Sequence, residues 1–207
     1  MTELLDIDNW NRKDHFNFFK QLEEPFFGVT IPIDCTISFE KSKKEKHSFF
    51  ISYLHKALVA VNSVECFRYR ISGEDIVIYD QIDASATIGR ADNTFGFSYI
   101  KFHPNFQEFN LIAKKEIERV QNNTGLEVAV AGDHVIHFSA MPWLDFTSFS
   151  HARSFSFADS APKISVGKMT EINGKKSFSV SIHVHHGLVD GFHVGQFTEK
   201  FQELMNA

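Results

Sequence analysis

The sequence predicts an α+β fold, a two-layer domain with helices over a mixed, largely antiparallel sheet. Two observations carry this. Segments with apolar residues at helical spacing interleave with short alternating segments. In addition, no part of the 207 residues reads as a linker, an internal repeat or a low-complexity tract. Residues 1–207 are therefore read as one domain, a length sufficient for one sizeable core.

The elements follow in order. "RKDHFNFFKQL" is a first helix with Phe16, Phe19 and Leu22 on one stripe. "TISFE" is a short strand candidate. "SFFISYLHKALVAVNSV" is a strong helix, with Phe49, Phe50, Tyr53, Leu54, Ala57, Leu58 and Val61 at helical spacing. "CFRYRI" and "IVIYDQI" are strands joined by the turn "SGED", and "FGFSYIKF" is another strand. "NFQEFNLIAKKEIERVQNN" is a helix with Phe106, Phe109, Ile112, Ala113, Ile117 and Val120 inward, and Gly125 is its stop signal. "HVIHFSAM" is a strand leading into "PWLDFTSF". "KISVGKM" and "KSFSVSIHVHH" form a hairpin around Asn173-Gly174. A last helix starts near Phe192, with Val194, Phe197, Phe201 and Leu204 on one face, which makes four helices in all.

Composition excludes several classes of function. The net charge is -5, and no basic block offers a surface to nucleic acid or an anionic membrane. Cys35 and Cys66 make no metal spacing and no disulfide framework. The start "MTELLDIDNW" has no apolar leader core, and no apolar run is long enough for a bilayer. A cytoplasmic protein is expected. Phe occurs 23 times, enough to fill a core, line an apolar pocket or cover a subunit face. There is no glycine-rich phosphate loop and no hexapeptide repeat.

The stretch "SFSVSIHVHHGLVDGFHVGQF" carries the candidate chemistry. Side chains alternate between the faces of a strand. Phe178, Val180, Ile182, Val184 and His186 fall on the apolar face. Ser177, Ser179, Ser181, His183 and His185 fall on the polar one. A histidine on an apolar face is desolvated, which favours the uncharged ring that can accept a proton. "GLVDG" then breaks the strand, and Asp190 stands where a helix N-cap belongs. By periodicity alone, His186 is more often a core histidine and Asp190 more often only a cap. A metal site is not expected, because parity separates His183 and His185 from His186 and no zinc spacing is present.

Four separated segments together resemble the chloramphenicol acetyltransferase family. "HHGLVDGFHV" is similar to that family's His-His-x-x-x-Asp-Gly motif. "NWNRKDHF" is similar to its Trp-x-Arg-(Arg/Lys)-x-His-Phe segment, "CFRYRI" with "IVIYD" to a strand pair, and "SAMPWLDFTSF" to its Pro-Trp-x-x-Phe-x-Ser-Phe segment. Catalytic domains of dihydrolipoyl acyltransferases share the fold and the His-x-x-x-Asp-Gly core. The resemblance implies a two-layer α/β sandwich, a homotrimer with interfacial active sites, and acetyl transfer from acetyl-CoA to a hydroxyl of a small-molecule acceptor without a metal. It implies His186 as general base and Ser148 as hydrogen-bond donor to the oxyanion. It also implies Asp190 paired with Arg12 to hold the active-site turn, and Ser165 where the family has a water-binding threonine.

For the acceptor pocket, the expected residues are Phe18, Phe19, Phe27, Lys163 and Ser165, with Phe18 off the core stripe of its helix. Several positions depart from the family pattern. Gly187-Leu188-Val189 replaces Ala-Val-Cys, Pro25 replaces a cysteine, and Phe18-Phe19 replaces a Phe-Tyr pair. Lys163 stands where an apolar pocket residue is expected. The resemblance therefore supports the reaction more firmly than the drug as substrate. A different acceptor on the same chemistry, or a scaffold that binds an apolar ligand without turnover, are the alternatives.

Overall fold

The computed structural model describes residues 2–126, 132–153 and 159–207. Strand β1 (Thr2–Leu4) precedes helix α1 (Lys13–Phe19), strand β2 (Phe26–Asp34) and helices α2 (Thr36–Lys44) and α3 (Phe49–Ser63). A 3-10 turn at Glu65–Arg68 leads into β3 (Tyr69–Ser72) and β4 (Asp75–Tyr79), followed by β5 (Asp83–Gly89) and β6 (Phe95–Phe97). Helix α4 (Phe106–Asn122) is followed by β7 (Val135–Ala140), β8 (Lys163–Val166), β9 (Thr170–Ile172) and β10 (Lys175–His185). Helix α5 (Gly191–Met205) is last.

The main sheet runs β2-β10-β8-β7-β5-β6, with β9 paired to the start of β10. β5, β7 and β8 are mutually parallel and the other pairings are antiparallel, so the sheet is mixed as the sequence predicts. β1, β4 and β3 make a small separate sheet. Helix α3 packs against α2, α4 and α5 on one side of the main sheet. Phe178, Val180, Ile182 and Val184 of β10 are all buried, and Tyr53 of α3 packs its ring 5.5 Å from that of Phe178.

Four differences from the sequence reading have physical causes. The segment "TISFE" opens helix α2 and is not a strand, so the described residues hold five α-helices. Its β-branched start suggests a strand, but good helix formers follow through Lys44, and Ser38 and Ser42 bury a narrow face at i, i+4. Strands β2 and β5 were not anticipated. β5 is made mostly of small residues, and β2 is half-buried on both faces, so neither alternates in hydrophobicity. "FGFSYIKF" is regular only over Phe95–Phe97, although Ser98 and Ile100 still donate to Ala86 and Ala84 across the strand. The Asn173-Gly174 turn joins β9 to β10, with both residues at positive φ (52° and 77°), and β8 lies on the far side of β10.

Candidate active site

His186 follows the last residue of β10, where "GLVDG" turns the chain into α5. Its ring stacks on Phe19 of α1 (centroids 3.9 Å apart, 15° between planes) and tilts against Phe27 of β2 at 4.6 Å. Its backbone N–H donates to the Pro25 carbonyl at 2.8 Å. Nδ1 is buried with no hydrogen-bond partner among the described residues, which leaves Nε2 as the nitrogen able to meet a substrate. The side chain is half-buried. Of the two neighbouring histidines, His185 is the more deeply buried, at 4 % exposure. Parity sorts the faces correctly, but the face assigned as polar is covered rather than solvated. Phe26 meets the His185 ring edge-on at 5.6 Å, and Arg153 lies 3.7 Å over the Phe26 ring. Burial, reinforced by the Arg153 charge, pushes His185 down to about 4.

The turn is held from two sides. Arg12 donates to Asp190 in an ion pair and also to the His186 carbonyl at 3.2 Å. The Asp190 side chain accepts from the Phe192 and His193 backbone N–H groups. In return, the Asp190 N–H donates to His193 Nδ1 at 3.2 Å, closing a capping box. The 2.9 Å approach of Nδ1 to the Asp190 carboxylate would be an ion pair only with a protonated ring. Burial lowers the His193 pKa, so the lone pair that accepts the backbone N–H prevails.

The other expected residues are spread over the domain. Phe18 is 62 % exposed and meets Phe19 edge-on at 5.1 Å, so Phe19 and not Phe18 covers the histidine. Ser148 is exposed in the loop after β7. Ser165 is fully buried, with its hydroxyl 3.4 Å from His151 Nε2. Lys163 is buried, pairs with Asp159, donates to the Ala161 carbonyl at 3.2 Å, and lies 4.5 Å over the Phe26 ring.

Lys163 and Ser165, both expected in the pocket, stand among residues that the sequence reading did not name. On the sheet face opposite α3, Ser85, His137, Lys163 and His183 stand side by side across β5, β7, β8 and β10, directly paired in register. One step along, Ser139, Ser165 and Ser181 align across β7, β8 and β10, and the Thr87 hydroxyl donates to Ser139 Oγ at 3.2 Å. Gly28 continues the first row on β2, and any Cβ there would sit 2.5 Å from the His183 ring. A cavity of about 520 Å³ opens over the β5–β8 part of these rows. His186 is not in its lining: it lies beyond the end of β10, the strand next to β8, and turns onto Phe19 and Phe27. The parity argument used for β10 would have found Ser139 and His137 on one face of "HVIHFSAM". No metal-binding cluster of His, Cys, Asp or Glu occurs among the described residues, and no described helix is long and apolar enough to cross a membrane.

A sheet of this order covered by helices on one side, with a histidine leaving its longest strand, is the architecture of an acyltransferase. A solved chloramphenicol acetyltransferase superposes with a TM-score of 0.93 at 29 % identity, covering 99 % of this chain and 100 % of that one. The fold extends to a probable dihydrolipoamide acetyltransferase from Listeria monocytogenes, with a TM-score of 0.67 at 14 % identity over 93 % of this chain and 88 % of that one. In sequence, a chloramphenicol acetyltransferase from Klebsiella sp is 28 % identical over 96 % of this chain and 91 % of its own length. One from Clostridium perfringens is 27 % identical over 99 % of both chains. The chloramphenicol acetyltransferase family model matches residues 2–202, and the chain belongs to that family.

Proposed function

We propose that the protein transfers acetyl from acetyl-CoA to a hydroxyl of chloramphenicol or a similar small molecule, with His186 as general base. The observation that carries this reading is His186 itself. It leaves the strand against Phe19 and Phe27, on a turn clamped by Arg12 and Asp190. Nε2 takes the acceptor's hydroxyl proton as the oxygen attacks the thioester carbonyl. The C–O bond forms, and the electron pair moves to the carbonyl oxygen. The oxyanion then collapses, the C–S bond breaks, and the proton passes from His186 to the departing thiolate. The products are an acetyl ester and CoA. A thioester is electrophilic enough to react in this way once the alcohol is oriented and deprotonated. Asp190 and Arg12 are positioning residues.

The oxyanion needs a hydrogen-bond donor. Ser148 has the support of the Pro-Trp segment, but its side chain is exposed. Ser139 has the support of the geometry: it lines the cavity beside Ser165 and Thr87. We assign the donor to Ser139. Because His186 lies outside that cavity, a complete site requires the histidine of another copy, which supports a homotrimer with interfacial sites.

Free thiol released from acetyl-CoA in the presence of acceptor tests both assignments. His186→Ala should abolish release. Ser139→Ala should lower kcat by about 10²–10³-fold with Ser148→Ala near wild type, as for loss of one oxyanion donor. The reverse order of the two serine variants returns the role to Ser148. Undiminished turnover by His186→Ala removes the histidine from the mechanism.

A further inference from the structure

A general base works only if its ring is held where the substrate proton will be. On the reading of His186 as that base, we propose that His185 is a positioning residue: its ring accepts the Gly187 N–H and thereby fixes the direction in which the His186 side chain leaves the backbone. The Cα of His186 lies between two peptide units, and the polar atoms of both can be followed. In the first, the His185 carbonyl accepts from the Leu188 and Val189 N–H groups, both at 3.0 Å, and the His186 N–H donates to the Pro25 carbonyl at 2.8 Å. In the second, the His186 carbonyl accepts from Arg12 at 3.2 Å, and the Gly187 N–H donates to His185 Nδ1 at 3.1 Å. All four polar atoms are thus bonded, and the last of these bonds rests on the His185 ring. Without it the second unit is held by Arg12 from one side only, and rotation there swings the His186 imidazole off its stack on Phe19.

The surroundings of His185 hold the ring in that role. It is buried, and its register partner on β2 is Phe26, whose ring meets it edge-on. Phe26 is in turn covered by two cations, Arg153 at 3.7 Å and Lys163 at 4.5 Å from its centroid. Lys163 gives its other contacts to Asp159 and the Ala161 carbonyl, so its ammonium is engaged within the protein and backs Phe26. On the other side the ring closes directly on the turn. A Cβ at Gly187 would lie 3.0 Å from His185 Cε1 and 3.1 Å from Nδ1, and glycine here, in place of the family's alanine, leaves the ring its room. Burial keeps the ring uncharged; Arg153, His186 and Lys163 act in the same sense and Asp159 against it. A neutral ring with Nδ1 accepting carries its proton on Nε2. His185 does not line the cavity over β5–β8, so it acts through His186 and not on the acceptor.

The test is steady-state thiol release from acetyl-CoA, with the fastest acceptor among chloramphenicol and a set of small alcohols, for three variants of His185. Leucine fills the space and accepts nothing. Asparagine places its amide oxygen where Nδ1 stands, and glutamine places its amide where Nε2 stands. His185→Leu should lower kcat by about 10–10²-fold, the effect of a displacement of order 1 Å at the reacting atoms, with KM for acetyl-CoA and for the acceptor unchanged. His185→Asn should recover most of that loss and His185→Gln should not. If His185→Leu fails to fold, the kcat of the asparagine variant against that of the glutamine variant decides alone. Wild-type kcat in His185→Leu, equal kcat in the asparagine and glutamine variants, or a change confined to KM overturns the positioning role and leaves His186 as base. Thiol release that survives His186→Ala, or that is absent with every acceptor, overturns the base assignment and the positioning role together.

Discussion

At the scale of single residues, Asp190 does two separable things. Its carboxylate caps α5, and its charge pairs with Arg12. Asp190→Asn keeps an oxygen for the cap and loses the charge, whereas Asp190→Ala loses both. The difference between the two variants in denaturant unfolding should be about 1 kcal/mol, the usual worth of an N-cap. Burial alone would raise the Asp190 pKa. The charges of His193 and Arg12 and two backbone hydrogen bonds outweigh it, so the folded value lies below 3.8. A carboxyl lowered in this way stabilises above its unfolded value and loses that contribution as pH falls below about 4. The wild type should therefore lose stability relative to Asp190→Asn only in that acidic window, as read from unfolding midpoints. The motif made Asp190 and Arg12 legible as a pair. The third partner, the His193 imidazole turned back onto the Asp190 N–H, is a matter of side-chain rotation that no spacing encodes.

At the scale of elements, β10 is the strand that orders the site. Its even residues Phe178, Val180, Ile182 and Val184 are buried, Phe178 against Phe49 and Tyr53 of α3, and its odd residues lie in the polar rows that run on into β8 and β7. The row ends at Gly28, where His183 occupies the space a side chain would need, with its Nε2 2.9 Å from the Phe149 carbonyl. Gly28→Ala should destabilise by about 1–3 kcal/mol, the usual cost of overpacking, or about 2–12 °C in Tm for a chain of this size. Adding His183→Ala should recover most of that loss. A Gly28→Ala protein with wild-type Tm would mean that the ring moves freely and that the row is not packed. The alternation of β10 and the helical spacing of α3 were readable because each has one face in a continuous apolar core. β5 and α2 were not, because small residues and serines carry no such contrast.

At the scale of the whole molecule, two expectations follow. The first is assembly. Trp143, Leu144 and Phe18 are exposed apolar side chains of the kind an interface covers, and His186 lies outside the lining of the cavity over β5–β8. Mixing inactive His186→Ala chains with inactive Ser139→Ala chains, then refolding them together, should restore thiol release through hybrid sites. The particle mass should be three chains. A monomer mass, or mixtures that remain dead, would place base and cavity in the same copy and contradict the interfacial site. The second expectation is acid sensitivity. His185 and His151 are each pushed down to about 4, chiefly by burial. A histidine lowered in the fold protonates first in the unfolded chain. Its contribution is therefore present above about pH 6.5 and is lost as pH falls toward 4. Each should remove about 1.4 kcal/mol of stability per pH unit inside that window. Denaturant midpoints that stay flat from pH 7 to 4.5 would show that these rings are solvated.

What the sequence determined by itself was the layered fold, the strand-turn-helix that carries His186, and the family, because each is written in local spacing along one segment. The polar rows under the cavity were decided only by the tertiary structure. Ser85, His137, Lys163 and His183 are separated in the chain by up to 98 positions, and parallel pairing of β5, β7 and β8 makes them neighbours. A strand's own alternation tells which way its side chains point. Which strand lies beside it, and in what register, is settled only when the shared core closes.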